Sequence, residues 1–384
     1  IRGALTLSSP NGGEIWIVNE VKDITWTRTG SIANVKLEYS VDGGTTYPNT
    51  IIASTPADTG SYAWTVPDAI STQLKVRVTD ASDATVFDTS DANFEIKGSL
   101  TITSPNGGEA WVVGSSQNIT WTKTGTISTV KLEYSTNAFA DELQTVTIVA
   151  STDATGTPAG SYAYAWTIPD AISSTVRVRI TNTADTAVKD ISDGNFKIIG
   201  AFVLTAPNGA ENWTVGNAYN ITWTMSGSIA NAKLEYSTDA GASYPNLIVA
   251  STPAAALSYN WTIPDAISSQ VRVKISDAAD ATVFDASDAN FNIIGGFTIT
   301  APNGGEVWVV GSSQNITWNT AGTVGNVQLE YSTNGFADEL KTVVIVASAV
   351  NLGSYSWTIP DAISASVKVR VSDAANSSAY DISN

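Results

Sequence analysis

One pattern recurs four times in the 384 residues and limits what the chain can fold into. Asp23-Ile24-Thr25-Trp26-Thr27 returns as Asn118-Ile119-Thr120-Trp121-Thr122, as Asn220-Ile221-Thr222-Trp223-Thr224 and as Asn315-Ile316-Thr317-Trp318. Apolar and polar residues alternate, so Ile and Trp share one face of a strand and Thr takes the other. Two further landmarks keep step. Pro10, Pro105, Pro207 and Pro302 each open Pro-Asn-Gly, and the 12 tryptophans fall three to a copy. A copy of about 96 residues is the size of one small domain with its own core.

The offsets carry more detail. Pro10 precedes Pro207 by 197 residues, and Pro105 precedes Pro302 by the same distance. Copies 1 and 3 therefore match each other better than their neighbours, as do 2 and 4. The array reads A-B-A-B, a duplicated pair.

Within copy 1, Leu5-Thr6-Leu7 is a first short strand and Pro10-Asn11-Gly12-Gly13 a turn, because Pro presets φ while Asn and Gly accept φ > 0. Ile15 to Val18, Ile24 to Trp26, Val35 to Tyr39, Thr50 to Ile52, Ser61 to Trp64, Leu74 to Val78 and Phe94 to Ile96 follow as strand-like runs. Pro67 ends the Trp64 strand, and Asp68 can cap a single turn. This is seven to eight short strands with turns between them, the pattern of a β-sandwich. The B-type insertion Phe139-Ala140-Asp141-Glu142-Leu143, with its twin Phe336 to Leu340, replaces the Asp42-Gly43-Gly44 turn and has room for one helical turn.

Domain limits are read at 1–98, 99–200, 201–295 and 296–384. Gly98 is the sole breaker at the first junction, and no Pro/Ser/Gly-rich linker occurs. An extended, semi-rigid array is expected. Ile1-Arg2-Gly3 aligns with Ile96-Lys97-Gly98, and Asp381 to Asn384 aligns with Asp190 to Asp193. Copy 4 thus has no counterpart of the closing Phe and Ile. The plain expectation is a window from a longer tandem array. The sharper one is that another copy's N-terminal segment completes the fourth domain, joining copies end to end by strand addition.

Composition narrows the function. The formal charge is −17, with no basic patch to reverse it, which argues against nucleic acid and anionic membrane surfaces. No apolar run approaches the ~20 residues that span a bilayer. There is no His and no Cys, so the usual nucleophilic triads, thiolates and zinc sites have no residues to build from. Carboxylates recur from copy to copy, whereas an active site normally breaks symmetry once; no enzyme is expected.

Four motifs remain as site candidates. Asp80, Asp83, Asp88 and Asp91, with Asp277, Asp280, Asp285 and Asp288, are the oxygen-rich candidates for Ca²⁺, set against the ordinary reading of solvated acidic turns. Asn118, Asn212, Asn220, Asn260, Asn315 and Asn376 open glycosylation sequons. Trp16 and Tyr47 are the aromatics that would stack on a sugar ring if exposed; core or edge packing is the alternative. Ser40-Val41-Asp42-Gly43-Gly44-Thr45-Thr46-Tyr47 resembles the Asp-box hairpin of sialidase-like propellers. It reads as a structural turn in which Asp accepts hydrogen bonds from its own loop.

Ser104-Pro105-Asn106-Gly107-Gly108-Glu109-Ala110-Trp111-Val112-Val113-Gly114, then Ile119-Thr120-Trp121, then Val130-Lys131-Leu132-Glu133-Tyr134-Ser135, resembles the Kre/Knh-like domain, also called the Ser-Thr-rich GPI-anchored membrane family domain. The likeness covers all four copies and departs at Ala210-Glu211-Asn212-Trp213. It implies Ig-like sandwiches in secreted or surface proteins, tied to cell walls or to tandem surface arrays, and no catalytic residue. The expectation is an all-β chain of four tandem Ig-like/fibronectin-III-like sandwiches, extracellular or at the cell surface. Its expected partners are other copies of itself end to end, or surface glycans in a carbohydrate-binding alternative. No cofactor is expected beyond the Ca²⁺ candidates.

Overall fold

The computed structural model describes residues 2–154 and 162–384. The chain is all-β and divides into two compact units, Ile1–Ile199 and Gly200–Asn384, each holding one A-type and one B-type copy. Copy 1 shows the plan. Its segments are β1 (Ala4–Ser9), β2 (Ile15–Ile17), β3 (Val21–Thr29), β4 (Asn34–Ser40), β5 (Asn49–Pro56), β6 (Ser61–Thr65), β7 (Ser71–Asp80), β8 (Asp83–Thr89) and β9 (Phe94–Lys97). One sheet runs β1-β3-β6; the other runs β2-β9-β7-β4-β5 with β8 also on β7. Pairing is antiparallel except β2 on β9, which is parallel.

The nine segments are seven strands, two of them broken. The first strand crosses from one sheet to the other between β1 and β2, and the last is interrupted between β8 and β9. At the first break the Glu14 carboxylate accepts from the backbone N–H groups of Asn11 and Gly12, both at 2.7 Å. Buried Ser90 ties the two breaks together: its hydroxyl accepts from Val76 N and donates to the Pro10 carbonyl. Ser287 does the same between Val273 and Pro207.

The core lies between the sheets. Trp16, Trp26 and Trp64 are 6%, 3% and 7% exposed, so all three tryptophans of the copy are interior. Trp16 packs edge-on to Trp64 at 5.9 Å and tilts against Phe94 at 5.1 Å. This arrangement gains burial and favourable aromatic geometry together. The indole N–H of Trp26 donates to Ala57 O at 3.1 Å, which satisfies its one buried polar atom.

Copies 2 and 3 repeat the plan. In copy 4 the smaller sheet is intact (296–301, 313–321, 354–358), while the larger has four strands. β2 is held in copy 1 by β9 alone, and residues 296–384 contain no counterpart of β9. Accordingly, 306–309 join no ladder, and Val307 and Val309 are 90% and 69% exposed.

Candidate functional site

Three surfaces bring polar and aromatic side chains together, the first of them by strand register. The first is the outer face of the larger sheet. Glu38 on β4 stands opposite Arg77 on β7. The residue is 6% exposed, and its carboxylate is paired to Lys36 at 2.6 Å and Arg77 at 2.8 Å. The Arg77 guanidinium lies 4.3 Å over the ring of Tyr47. The theme recurs with changed parts: Arg179 on Phe139, Lys274 on Tyr244 and Arg370 on Phe336. In B-type copies the insertion forms a single 3₁₀ turn, Glu142–Gln144 or Glu339–Lys341, whose Glu142 or Glu339 grips the same arginine. Alternation along β7 places the basic residues outward. The aromatic that meets them comes from a loop, so no periodicity announces it.

Beside it lies the Asp42 turn. Asp42 accepts from the Ser40 hydroxyl at 2.6 Å and from the Thr46 N–H and hydroxyl at 3.0 and 2.7 Å. Gly43 and Gly44 take φ of 74° and 91°, where a side chain would be strained. The Ser40 hydroxyl, then the two Thr46 donors, hold the Asp42 carboxyl down at about 2. Asp239 repeats the arrangement.

The structure corrects two readings. Trp16 is buried against Trp64 and Phe94, so it offers no ring to a sugar. Its strand is the second half of a broken one, and the break sets the indole over the core. Tyr47 is half-buried and gives one ring face to Arg77.

The calcium candidates are not brought together either. Asp80 and Asp83 cap their own turns at Ser82 and Thr85; Asp277 and Asp280 do so at Ala279 and Thr282. Asp88 and Asp285 accept from the backbone N–H groups of Leu7 and Leu204, and Asp91 and Asp288 from the side chains of Asn11 and Asn208. Among the described residues no group of three acidic, His or Cys side chains converges. Spacing suggested a cluster, but each carboxylate serves a different turn or strand edge.

Asn118, Asn212, Asn220, Asn260 and Asn315 are exposed and Asn376 is half-buried. Asn260 donates to Asn220 at 2.9 Å, and Asn292 donates to Asn212 at 2.7 Å.

The third surface was not foreseen. Inside each unit the Trp-Thr-x-Pro-Asp loop of the A-type sandwich grips the Gly-Thr turn of the B-type one. Asp68 accepts from Thr126 N at 3.0 Å and from its hydroxyl at 2.5 Å. Asp265 accepts from Thr323 N at 2.9 Å and from the Thr323 hydroxyl. Thr323 thereby holds the Asp265 carboxyl below its ordinary value. Gly125 is required at the contact: its φ is +73°, and a Cβ there would lie 3.0 Å from Val18 and 3.1 Å from Ile70. Gly322 meets Val215 and Asp265 in the same way. An open crevice of about 530 Å³ flanks the Asp265 contact, lined by Tyr236, Thr238, Asn246, Ile267 and Thr323. Lys97, from the last strand of the first sandwich, reaches Asp185 of the second at 3.4 Å.

No family model matches the sequence, and no curated protein does. Solved structures do match, among them the following. The fibronectin(III)-like modules of Clostridium thermocellum CbhA are 19% identical over 50% of this chain and 93% of theirs, with a TM-score of 0.19. Immunoglobulin domains 1–5 of Sidekick-1 are 10% identical over 99% of this chain and 79% of theirs, TM-score 0.25. The D1–D4 ectodomain fragment of ICAM-5 is 11% identical over 86% and 87%, TM-score 0.27. The chain's own sheet order defines its class: tandem Ig-like/fibronectin-III-like sandwiches. Among the described residues no helix is long and apolar enough to cross a membrane.

Proposed function

We propose that this chain is a structural component of an extracellular or cell-surface assembly, the shaft of a filament, stalk or adhesin, and not an enzyme. One observation carries the reading: the Asp-to-Thr grip between neighbouring sandwiches, made at Asp68–Thr126 and made again at Asp265–Thr323. A duplicated device that ties domain to domain serves position and spacing. The unpaired segment at Val307–Val310 favours joining of copies by an added strand. Negative-stain micrographs of the purified chain test the proposal. Elongated particles, with fibres at high concentration, are the expected result; compact particles overturn it.

A carbohydrate-binding reading rests on other aromatics than Trp16. Phe87 and Phe284 hold equivalent places on the A-type copies and are 53% and 58% exposed. Binding on a glycan array, lost in Phe87→Ala with Phe284→Ala, would favour it.

A further inference from the structure

The two grips use a matched pair of parts. One part is the Pro-Asp-Ala-Ile loop after the third tryptophan, with the valine that follows the first. The other is a Gly-Thr turn at the end of the Ile-Thr-Trp strand. In unit 1 they are Asp68, Ile70 and Val18 against Gly125-Thr126. In unit 2 they are Asp265 and Val215 against Gly322-Thr323.

Both parts occur also on sandwiches 4 and 1, outside these two grips. Sandwich 4 carries Pro360-Asp361-Ala362-Ile363 and Val310. Among the described residues the Asp361 carboxylate accepts no hydrogen bond, and Ile363 and Val310 are 89% and 44% exposed. Val18 and Val215, the equivalents of Val310, each lie under a glycine of the next sandwich and are 2% and 8% exposed, and Ile70, the equivalent of Ile363, is 44% exposed. Sandwich 1 carries the other half. Gly30, with φ +83°, and Ser31 are exposed, and Ser31 offers the same N–H and hydroxyl as Thr126. An open hollow of about 490 Å³ lies over Arg28, Gly30, Ser31, Ile32 and Ala33.

We infer that the Asp361 loop is a docking surface for a second copy of this chain, whose Gly30-Ser31 turn it receives as Asp68 receives Gly125-Thr126. The occupant follows from chemistry already used twice. A carboxylate takes the N–H and hydroxyl of one residue, a combination met by Ser or Thr after a glycine with positive φ. Apolar side chains, Val18 with Ile70 in unit 1 and Val215 in unit 2, close on that glycine, where any Cβ would intrude. Gly30-Ser31 supplies the glycine of positive φ, the N–H and the hydroxyl; a Cβ at Gly30 would already meet Gly3 of its own sandwich at 3.1 Å. The inference rests on the structural reading above and names the contact that joins copies within it.

Two hydrogen bonds and a small apolar contact make a weak joint, so trapping is the suitable readout. The sequence has no cysteine, which leaves single substitutions unambiguous. The full chain with Asp68→Cys and Thr126→Cys is the geometric control and should close an internal disulfide. Chains with Asp361→Cys, mixed with chains carrying Ser31→Cys, should then form a mixed dimer about tenfold faster than with chains carrying Thr65→Cys, an exposed site elsewhere on sandwich 1. Equal rates, with the control closed, overturn the inference. Should the control stay open, sedimentation of the cysteine-free chain decides. Association that rises with concentration and is abolished by Ser31→Glu supports the contact. No association, or association unmoved by Ser31→Glu, overturns it. Fibres that persist in Ser31→Glu would leave the structural reading standing and remove only this joint.

Discussion

Asp42 shows how one residue spends its chemistry on the loop that carries it. Three donors converge on its carboxylate, and the turn exists because they do. The group's value in the fold is about 2, below its ordinary 3.8, so the sign of its linkage is settled. The stabilisation is complete above the ordinary value and is lost as pH falls from there towards 2. Thermal melts of Asp42→Asn with Asp239→Asn should show a lower midpoint than the parent at pH 7 and a shallower fall between about pH 4 and 2. A parallel fall in both proteins would refute this. Asp42 was legible in the sequence as a turn former, because Asp-Gly-Gly after an alternating run has few other readings. Glu14 and Ser90 were not. Their partners lie at a break in a strand, and a break has no period.

At the scale of the element, the broken first and last strands decide which tryptophans matter most. β2 is three residues long and has one neighbour, β9. Trp16 is buried where both halves are present, whereas Trp308 is half-buried where 306–309 lack a ladder. Trp16→Ala should therefore destabilise its sandwich by about 3–5 kcal/mol, in the range of large aromatic truncations in a core. Trp308→Ala should remove clearly less. Hydrogen exchange resolved by segment separates the two, and equal losses would contradict the packing described. The three aromatic positions per copy were plain from alternation and spacing. That Trp16 points inward was not, since Ile15-Trp16-Ile17 is too short and too uniformly apolar for alternation to choose a face.

On the scale of the whole molecule, in each of two units one aspartate of the A-type sandwich grips the B-type one. Asp68→Ala should leave the cores intact and change the unfolding free energy by less than about 1 kcal/mol, as expected for an exposed contact. It should also free the sandwiches to move against each other. Spin labels placed on sandwiches 1 and 2 of the full chain measure this directly, and the spread of distances should widen. An unchanged spread would show that the Lys97–Asp185 pair and the short Gly98 junction suffice. At Gly98 a Cβ would lie 2.6 Å from the Thr124 carbonyl, so the missing side chain is itself part of how the domains meet.

The sequence by itself determined the repeat, the strands, the duplicated A-B pair and the sandwich class. Alternation and turn chemistry act between near neighbours and leave their mark in order along the chain. Only the tertiary structure decided that Trp16 is core, that eight aspartates serve separate turns or strand edges, and that Asp68 reaches Thr126. Those outcomes depend on residues brought together from distant positions, where a few hydrogen bonds and the room left by a glycine choose the partner.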